Sequence, residues 1–177
     1  VPVAVRLTGT DYQAAADNPE LAAAVRNAGG AYFAGGDQAR ITRALRRADG
    51  SNSRVLEALW EMYRRGGVIA GTSAGAAIMS STMFGHPKPV LATLKHGLQD
   101  GQEITPGLGF IGDDVFVDQH LLVRGRFARM LPAMLQKGYK LGLGIDENTA
   151  MIVGPNREVE VVGYKGALVV DLSAANA

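Results

Sequence analysis

The stretch "GGVIAGTSAGAAIMS", residues 66–80, decides which fold this sequence can form. A short apolar run leads into a turn of small residues centred on Ser73, and a helix-forming segment follows. Gly71 and Gly75 flank the serine, and this arrangement between a strand and a helix is typical of a serine nucleophile. The same spacing suits a packing joint rich in Gly and Ala, so the rest of the chain must separate the two interpretations.

Length and composition limit the classes of protein that the chain can belong to. Its 177 residues suffice for one domain with a substantial core, and 47% hydrophobic with 20% charged residues is ordinary for a soluble globular protein. A net charge of +1 makes no electrostatic case for a nucleic-acid or membrane partner. Cysteine is absent, which excludes disulfides, thiol catalysis and cysteine-ligated metals. We expect no cofactor and no metal; the compartment, cytoplasmic or secreted, stays open.

Apolar runs alternate with amphipathic segments, which predicts an α/β fold with a mostly parallel sheet flanked by helices in one domain. The predicted strands are "VPVAVRLTG", "AYFAGG", "VIAG", "VFVDQH" and "LGLGID". The predicted helices are "DNPELAAAVRNAGG" with Asn18 as cap and Gly29 at its end, "DQARITRALRRADG", "SNSRVLEALWEMYRRGG", "SAGAAIMS" and "GRFARMLPAMLQKG". A long loop is expected from Gly85 to Asp114. The final stretches "AMIVG", "VEVVGYKG" and "LVVD" predict an antiparallel edge added to the sheet.

A serine nucleophile needs a base, and three histidines follow Ser73. His86 and His96 lie in segments where a solvated histidine is the simpler interpretation. His120 ends a predicted strand, at the edge of an α/β sheet where ligands bind. The orienting acid could be Asp118, Asp146 or Glu147, and the order Ser73, His120, Glu147 fits best.

Two further features suit acyl transfer from a charged substrate. The segment "GGDQ", residues 35–38, joins a strand to a helix, so the N–H groups of Gly36 and Ala74 could form an oxyanion hole. The second feature is a group of arginines at the start of a helix, where the dipole disfavours positive charge. We interpret this group as a site for bound carboxylates, with Asp118 as a partner for a substrate guanidinium. Its members are Arg124, Arg126 and Arg129.

Four linked motifs resemble the cyanophycinases, a serine peptidase family related to dipeptidase E. They are "FAGGDQARITRAL", "GGVIAGTSAGAAIMSSTM", "GLGF…VDQHLLVRGRFARML" and "LGLGIDENTAMIV", in order along most of the chain. The resemblance implies a fold like that of the class I glutamine amidotransferases, a flavodoxin-like three-layer arrangement. It also implies an exopeptidase that releases β-aspartyl-arginine from cyanophycin, a polyaspartate with arginine on each side chain.

Carried over motif by motif, the resemblance makes Ser73 the nucleophile, His120 the general base and Glu147 the orienting acid. The motif positions for the substrate pocket are Gln38, Asp118, Gln119, Arg124, Arg126 and Arg129. The family begins with a further strand, helix and strand that have no counterpart here. We therefore expect a domain without its N-terminal part: either the chain is a fragment of a longer protein, or another segment of the same protein completes it. A homodimer is a further expectation from the family.

Two other functions stay open at this point. A related dipeptidase would cleave short aspartyl or isoaspartyl peptides and leave the polymer intact. A non-catalytic binding homologue would keep the fold without the chemistry, although the presence of Ser73, His120 and Glu147 argues against it.

Overall fold

A computed structural model of the chain describes residues 12–99 and 101–175. The strand predicted for "VPVAVRLTG" lies outside the described residues. The chain divides into two compact units, Val1–Gly75 and Ala76–Ala177. The helices and strands below make it a mixed α/β protein.

The first unit combines helices with a two-stranded parallel sheet. Its helices are α1 (Tyr12–Ala16), α2 (Pro19–Arg26), α3 (Gln38–Leu45) and α4 (Arg54–Arg64), and α5 (Ala74–Ala77) crosses the division between the units. The strands are β1 (Gly30–Phe33) and β2 (Val68–Gly71), paired in parallel from Gly30 opposite Val68 to Phe33 opposite Gly71. One face of this pair is open, since Tyr32 and Val68 are 68% and 65% exposed.

Local sequence signals explain where these helices begin. The side chain of Asn18 accepts hydrogen bonds from the N–H groups of Glu20 and Leu21, which confirms it as the cap of α2. Ser53 caps α4 in the same way, through the N–H of Leu56 at 3.2 Å. Such a cap satisfies N–H groups that the first turn of a helix cannot pair. The predicted end of α2 at Gly29 is wrong, because Asn27 caps the helix two residues earlier.

The second unit contains two helices and most of the strands. The helices are α6 (Val90–His96) and α7 (Phe127–Lys137). The strands are β3 (Thr82–Phe84), β4 (Ile104–Pro106), β5 (Val115–Gln119), β6 (Leu141–Ile145), β7 (Thr149–Val153), β8 (Val159–Gly163) and β9 (Ala167–Asp171). Strand β6 pairs in parallel with β5 and antiparallel with β9, while β3–β4 and β7–β8 are separate antiparallel pairs.

The core of the second unit depends on glycines in β6. A Cβ on Gly142 would lie 2.4 Å from the Met130 side chain, and a Cβ on Gly144 would lie 2.1 Å from Leu121. Only a residue without a side chain lets α7 and the segment after β5 pack this closely on the strand. Phe116 of β5 is fully buried beneath the same layer.

Two sequence predictions need correction. The segment from Gly85 to Asp114 is not one long loop, because α6 and β4 form within it. The described strands form four small sheets, two of them antiparallel, rather than one mostly parallel sheet. The antiparallel edge predicted at the chain end is found in part, since β9 joins β6 while β7 and β8 pair with each other. In the described part of the chain, no helix combines the length and apolar character that crossing a membrane requires.

Candidate active site

Ser73 lies in a strained turn directly after β2. Its φ is +52°, a left-handed conformation that residues other than glycine seldom adopt. The turn is closed by hydrogen bonds from Gly75 N to Thr72 O at 2.8 Å and from Thr72 N to Phe33 O at 3.0 Å. The strand, turn and helix predicted around this serine are present, but the helix is only the four residues of α5 instead of extending to Ser80.

Glycine packing makes the turn possible. A Cβ on Gly75 would lie 2.1 Å from Phe33 O, and a Cβ on Gly71 would lie 2.2 Å from Gly75 O. Both contacts are with backbone atoms, which cannot move aside like the end of a flexible side chain. The two glycines that flank Ser73 are therefore required by the backbone around it.

The "GGDQ" segment lies against the same serine. A Cβ on Gly35 would lie 3.3 Å from Ser73 Cβ, and Gly36 has a φ of +139° that favours glycine. Asp37 caps α3 by accepting hydrogen bonds from Ala39 N and Arg40 N at 2.9 and 3.3 Å. These contacts bring the proposed oxyanion-hole turn next to the proposed nucleophile within the first unit.

His120 and Glu147 are paired within the second unit. His120 Nδ1 lies 2.5 Å from Glu147 Oε1, although the two residues are 27 positions apart in sequence. The pairing follows from the parallel register of β5 and β6, because His120 and Glu147 come just after the aligned ends of these strands. His120 itself has a φ of +52°, so this turn is strained like that of Ser73.

The carboxylate of Glu147 is held in its ionised form. The hydrogen bond with His120 lowers its pKa below the usual range for glutamate, and the charges of His120 and Arg124 act in the same direction. An ionised carboxylate on Nδ1 selects the imidazole tautomer whose Nε2 can accept a proton. The pair has the geometry of a general base with its orienting acid.

The other candidate acids and bases have different contacts. Asp146 accepts hydrogen bonds from the N–H groups of Leu122 and Val123 at 2.9 and 3.5 Å, so its carboxylate fixes the turn after His120. His86 and His96 are exposed, in agreement with the solvated histidines expected for both segments. Of the three acids considered from sequence, the structure pairs Glu147 with His120.

Arg129 has an internal counter-charge, which corrects the interpretation of the arginine group. Its Nε and Nη2 donate to Oδ2 and Oδ1 of Asp118 at 2.8 and 2.7 Å, with both side chains buried. A bidentate contact of this kind is the one that Arg was expected to make with a substrate carboxylate. Asp118, expected to receive a substrate guanidinium, is occupied by the protein's own guanidinium.

The remaining two arginines differ from each other. Arg126 Nη1 donates to the backbone oxygen and to Oε1 of Gln119 at 3.0 and 2.8 Å. Burial and then the like charge of Arg129 lower the pKa of Arg126. Arg124 is exposed, so it is the arginine of this group whose side chain faces solvent.

Phe84 is a neighbour of this region that the sequence did not indicate. The Arg129 guanidinium lies 4.2 Å from the centre of the Phe84 ring, a cation–π distance. Phe84 precedes the segment that was expected to be a loop, and no pattern in the sequence connects it with α7. Within residues 12–99 and 101–175, no group of three or more His, Asp or Glu residues could hold a metal ion.

Comparison with known proteins points to one family. Residues 11–160 match the model of peptidase family S51. A cyanophycinase from Geminocystis herdmanii (strain PCC 6308) is 32% identical over 128 residues, which cover 68% of this chain and 43% of that protein. A cyanophycinase from Trichormus variabilis (strain ATCC 29413 / PCC 7937) is 34% identical over 122 residues, which cover 68% of this chain and 39% of that protein.

A solved structure of a peptidase is also similar to this chain. A peptidase from an acI-B1 Actinobacterium superposes with a TM-score of 0.66 at 26% identity, covering 90% of this chain and 60% of that one. The matched regions of this chain cover less than half the length of each of the two cyanophycinases named above.

Proposed function

The chain belongs to peptidase family S51, and we propose that it acts as a serine exopeptidase on cyanophycin or on aspartyl-arginine peptides. The similarity to two cyanophycinases at 32% and 34% identity supports this substrate class. The observation that carries the proposal is the hydrogen bond between His120 Nδ1 and Glu147 Oε1, at 2.5 Å. It supplies an oriented base, which a serine in a merely structural turn does not need.

In the proposed mechanism, Ser73 Oγ attacks the carbonyl carbon of the scissile amide while His120 Nε2 takes the hydroxyl proton. The N–H groups of Gly36 and Ala74 stabilise the oxyanion that forms. The C–N bond then breaks, His120 gives its proton to the leaving amine, and an acyl-enzyme remains on Ser73. Water, deprotonated by His120, attacks the ester carbonyl carbon. The C–O bond to Ser73 Oγ then breaks, the carboxylic acid product leaves, and His120 returns its proton to Ser73 Oγ.

Glu147 stays ionised through these steps and stabilises the imidazolium that His120 becomes. Its lowered pKa, which has the His120 hydrogen bond as its main cause, supports this role. Arg124, exposed and cationic, is proposed to attract substrate carboxylates. Gln38, at the start of α3 after the "GGDQ" turn, is proposed as a further substrate contact.

The proposal includes the finer fold expectation of a flavodoxin-like arrangement. The parallel pairing of β1 with β2 in one unit and of β5 with β6 in the other supports it. So does the placement of Ser73 and His120 just after the carboxyl ends of parallel strands, where α/β folds bind ligands.

The test is the Ser73→Ala variant with Ser51→Ala, an exposed serine of the same unit, as its control. We expect Ser73→Ala to abolish release of β-aspartyl-arginine from cyanophycin and to lose labelling by a serine-directed covalent probe. Ser51→Ala should keep both activities. Cleavage by Ser73→Ala at the wild-type rate would refute the proposed nucleophile.

The substrate is tested separately with wild-type protein. Rates on cyanophycin and on α-aspartyl dipeptides are compared at equal molar concentration of cleavable bonds. A preference for the polymer supports the cyanophycinase activity. Cleavage of dipeptides alone would replace it with a dipeptidase activity while leaving the roles of Ser73, His120 and Glu147 intact.

A further inference from the structure

The two residues before His120 are both tied to arginines at the start of α7. Asp118 forms its bidentate ion pair with Arg129, and the side chains of the two are only 2% and 3% exposed. Gln119 accepts hydrogen bonds from Arg126 Nη1 at both its backbone oxygen and its side-chain oxygen. The backbone that leads into His120 is therefore connected to one helix by four hydrogen bonds from two guanidinium groups.

Internal groups surround the Asp118–Arg129 pair on several sides. Besides the two Arg129 nitrogens, Asp118 Oδ1 accepts a hydrogen bond from Gln119 N at 2.9 Å. The Arg129 guanidinium lies over the Phe84 ring. Both side chains are buried and already have internal partners, whereas a charged group that binds a ligand is accessible and has donors or acceptors to spare. Removing one member would leave the other as an uncompensated buried charge, a costly state.

His120 has a backbone conformation that needs such support. A φ of +52° at a residue with a full side chain is strained, and it persists only where the surroundings enforce it. The turn is also held by Asp146, which accepts hydrogen bonds from Leu122 N and Val123 N, and by the hydrogen bond from Leu121 N to Ile145 O. The Asp118–Arg129 pair is a buried ion pair whose carboxylate lies two residues before His120 in the chain.

We propose that Arg129 and Asp118 are positioning residues that hold His120 where Glu147 can orient it, and that neither contacts the substrate. This inference rests on the proposed role of His120 as the base. It also gives the three arginines different roles. Arg129 holds the base in place, Arg126 fastens Gln119, and the exposed Arg124 is the one that meets an anionic substrate.

The alternative roles make different predictions for kinetics. A substrate contact that binds ground state and transition state equally raises KM when it is lost, with kcat unchanged. A positioning residue lowers kcat with KM nearly unchanged, because a displacement of about 1 Å at a base can cost about a hundredfold in rate. A purely structural pair lowers stability and leaves both constants of the folded fraction as they were.

The experiment compares Arg129→Gln, Asp118→Asn, Arg129→Lys and the double variant Asp118→Asn/Arg129→Gln. The double variant leaves no unpaired buried charge, so it keeps the test usable if a single variant does not fold. The matched control is Arg157→Gln, which removes the exposed bidentate pair between Arg157 and Asp114 in the same unit. Each protein is assayed for kcat and KM on cyanophycin, and the low-field NMR signal of the His120 Nδ1 proton is recorded without substrate.

We expect Arg129→Gln and Asp118→Asn to lower kcat about a hundredfold with KM within about twofold of wild type. The His120 signal should shift or broaden in both. Arg129→Lys should restore part of the rate, and the double variant should lose no more than the worse single variant, since coupled residues are not additive. Arg157→Gln should keep the rate and the signal.

Two results would overturn the inference. One is a raised KM with kcat and the NMR signal unchanged, which would make the pair a substrate contact. The other is wild-type kinetics and an unchanged signal in folded variants, which would make it purely structural. Because the NMR signal needs no substrate, it tests the pair even if Ser73→Ala keeps its activity and the proposed function fails.

Discussion

Two turns of this molecule have the same strained backbone conformation, but different interactions stabilise them. The serine turn, residues 71–75, follows β2, and the histidine turn, residues 120–126, follows β5. Ser73 and His120 both have a φ of +52°. The serine turn is held by glycines that allow backbone to touch backbone, with Gly75 against Phe33 O. The histidine turn is held by charged side chains, with Asp118 bound to Arg129 beside it.

The difference shows that a residue with a strained backbone can be held by glycines that allow close backbone packing or by a buried ion pair beside it. The serine turn should fail when an atom is added, because the obstacle is backbone that cannot yield. The histidine turn should fail when a charge is removed, because its partner is then left buried and unpaired. The variants below test this contrast, beginning with the largest expected effect.

Removing the charge from Glu147 should have the largest effect on catalysis. We expect Glu147→Gln to lower kcat by about 10⁴-fold, the size of the loss when a serine peptidase loses its orienting acid. The amide cannot stabilise the imidazolium that His120 becomes. Single-turnover kinetics on cyanophycin measure the effect, and Glu158→Gln, an exposed glutamate of the same unit, serves as the control. A loss smaller than tenfold would show that His120 needs no ionised partner.

The same substitution should change how stability depends on pH. The pKa of Glu147 is lower in the folded protein, chiefly because of its hydrogen bond to His120, than the ordinary value of 4.5. Its contribution to stability is therefore complete above about pH 4.5 and is lost as the pH falls through the lowered folded pKa. Urea unfolding from neutral pH to pH 3 should show wild type and Glu147→Gln converging towards acid. Parallel curves would contradict the sign of the shift.

Adding one carbon to the serine turn should have the next largest effect. A Cβ on Gly75 meets Phe33 O at 2.1 Å, so we expect Gly75→Ala to cost about 3 kcal/mol of unfolding free energy, at the upper end for overpacking. Labelling of Ser73 by a serine-directed probe should be lost with it. Gly29→Ala is the matched control, because nothing lies within 4 Å of its added Cβ. Equal stability of the two variants would refute the steric account of this turn.

The smallest effect is expected at Asp37, a charged residue of the "GGDQ" segment. It caps α3 through Ala39 N and Arg40 N, and losing such a cap costs about 1 kcal/mol. We expect Asp37→Ala to lower thermal stability by that amount, while Asp37→Asn, which can still cap, stays near wild type. A similar loss in both variants would mean that the charge matters more than the cap, and the contrast between the two turns would weaken.

The sequence predicted well what depends on neighbours in the chain. The cap at Asn18 and the elements on either side of Ser73 follow from short-range patterns and are present. The choice of Glu147 with His120 came from the chain order and from the family resemblance, and the parallel register of β5 and β6 brings the two side chains to 2.5 Å. The elements between Gly85 and Asp114 were missed because α6 and β4 are short and several Gly and Pro residues obscure their pattern.

The sequence by itself determined the alternation of helices and strands, the glycine-flanked serine in a turn between a strand and a helix, and the chain order of Ser73, His120 and Glu147. These depend on backbone geometry, capping and spacing, which are local properties. Only the tertiary structure decided what each charged residue faces. Asp118 and Arg129 appeared in sequence as separate contacts for a substrate, yet they neutralise each other, because α7 returns Arg129 to the buried strand that carries Asp118. Burial makes that pairing obligatory, since a charge removed from water needs a partner that is close in space and not merely in sequence.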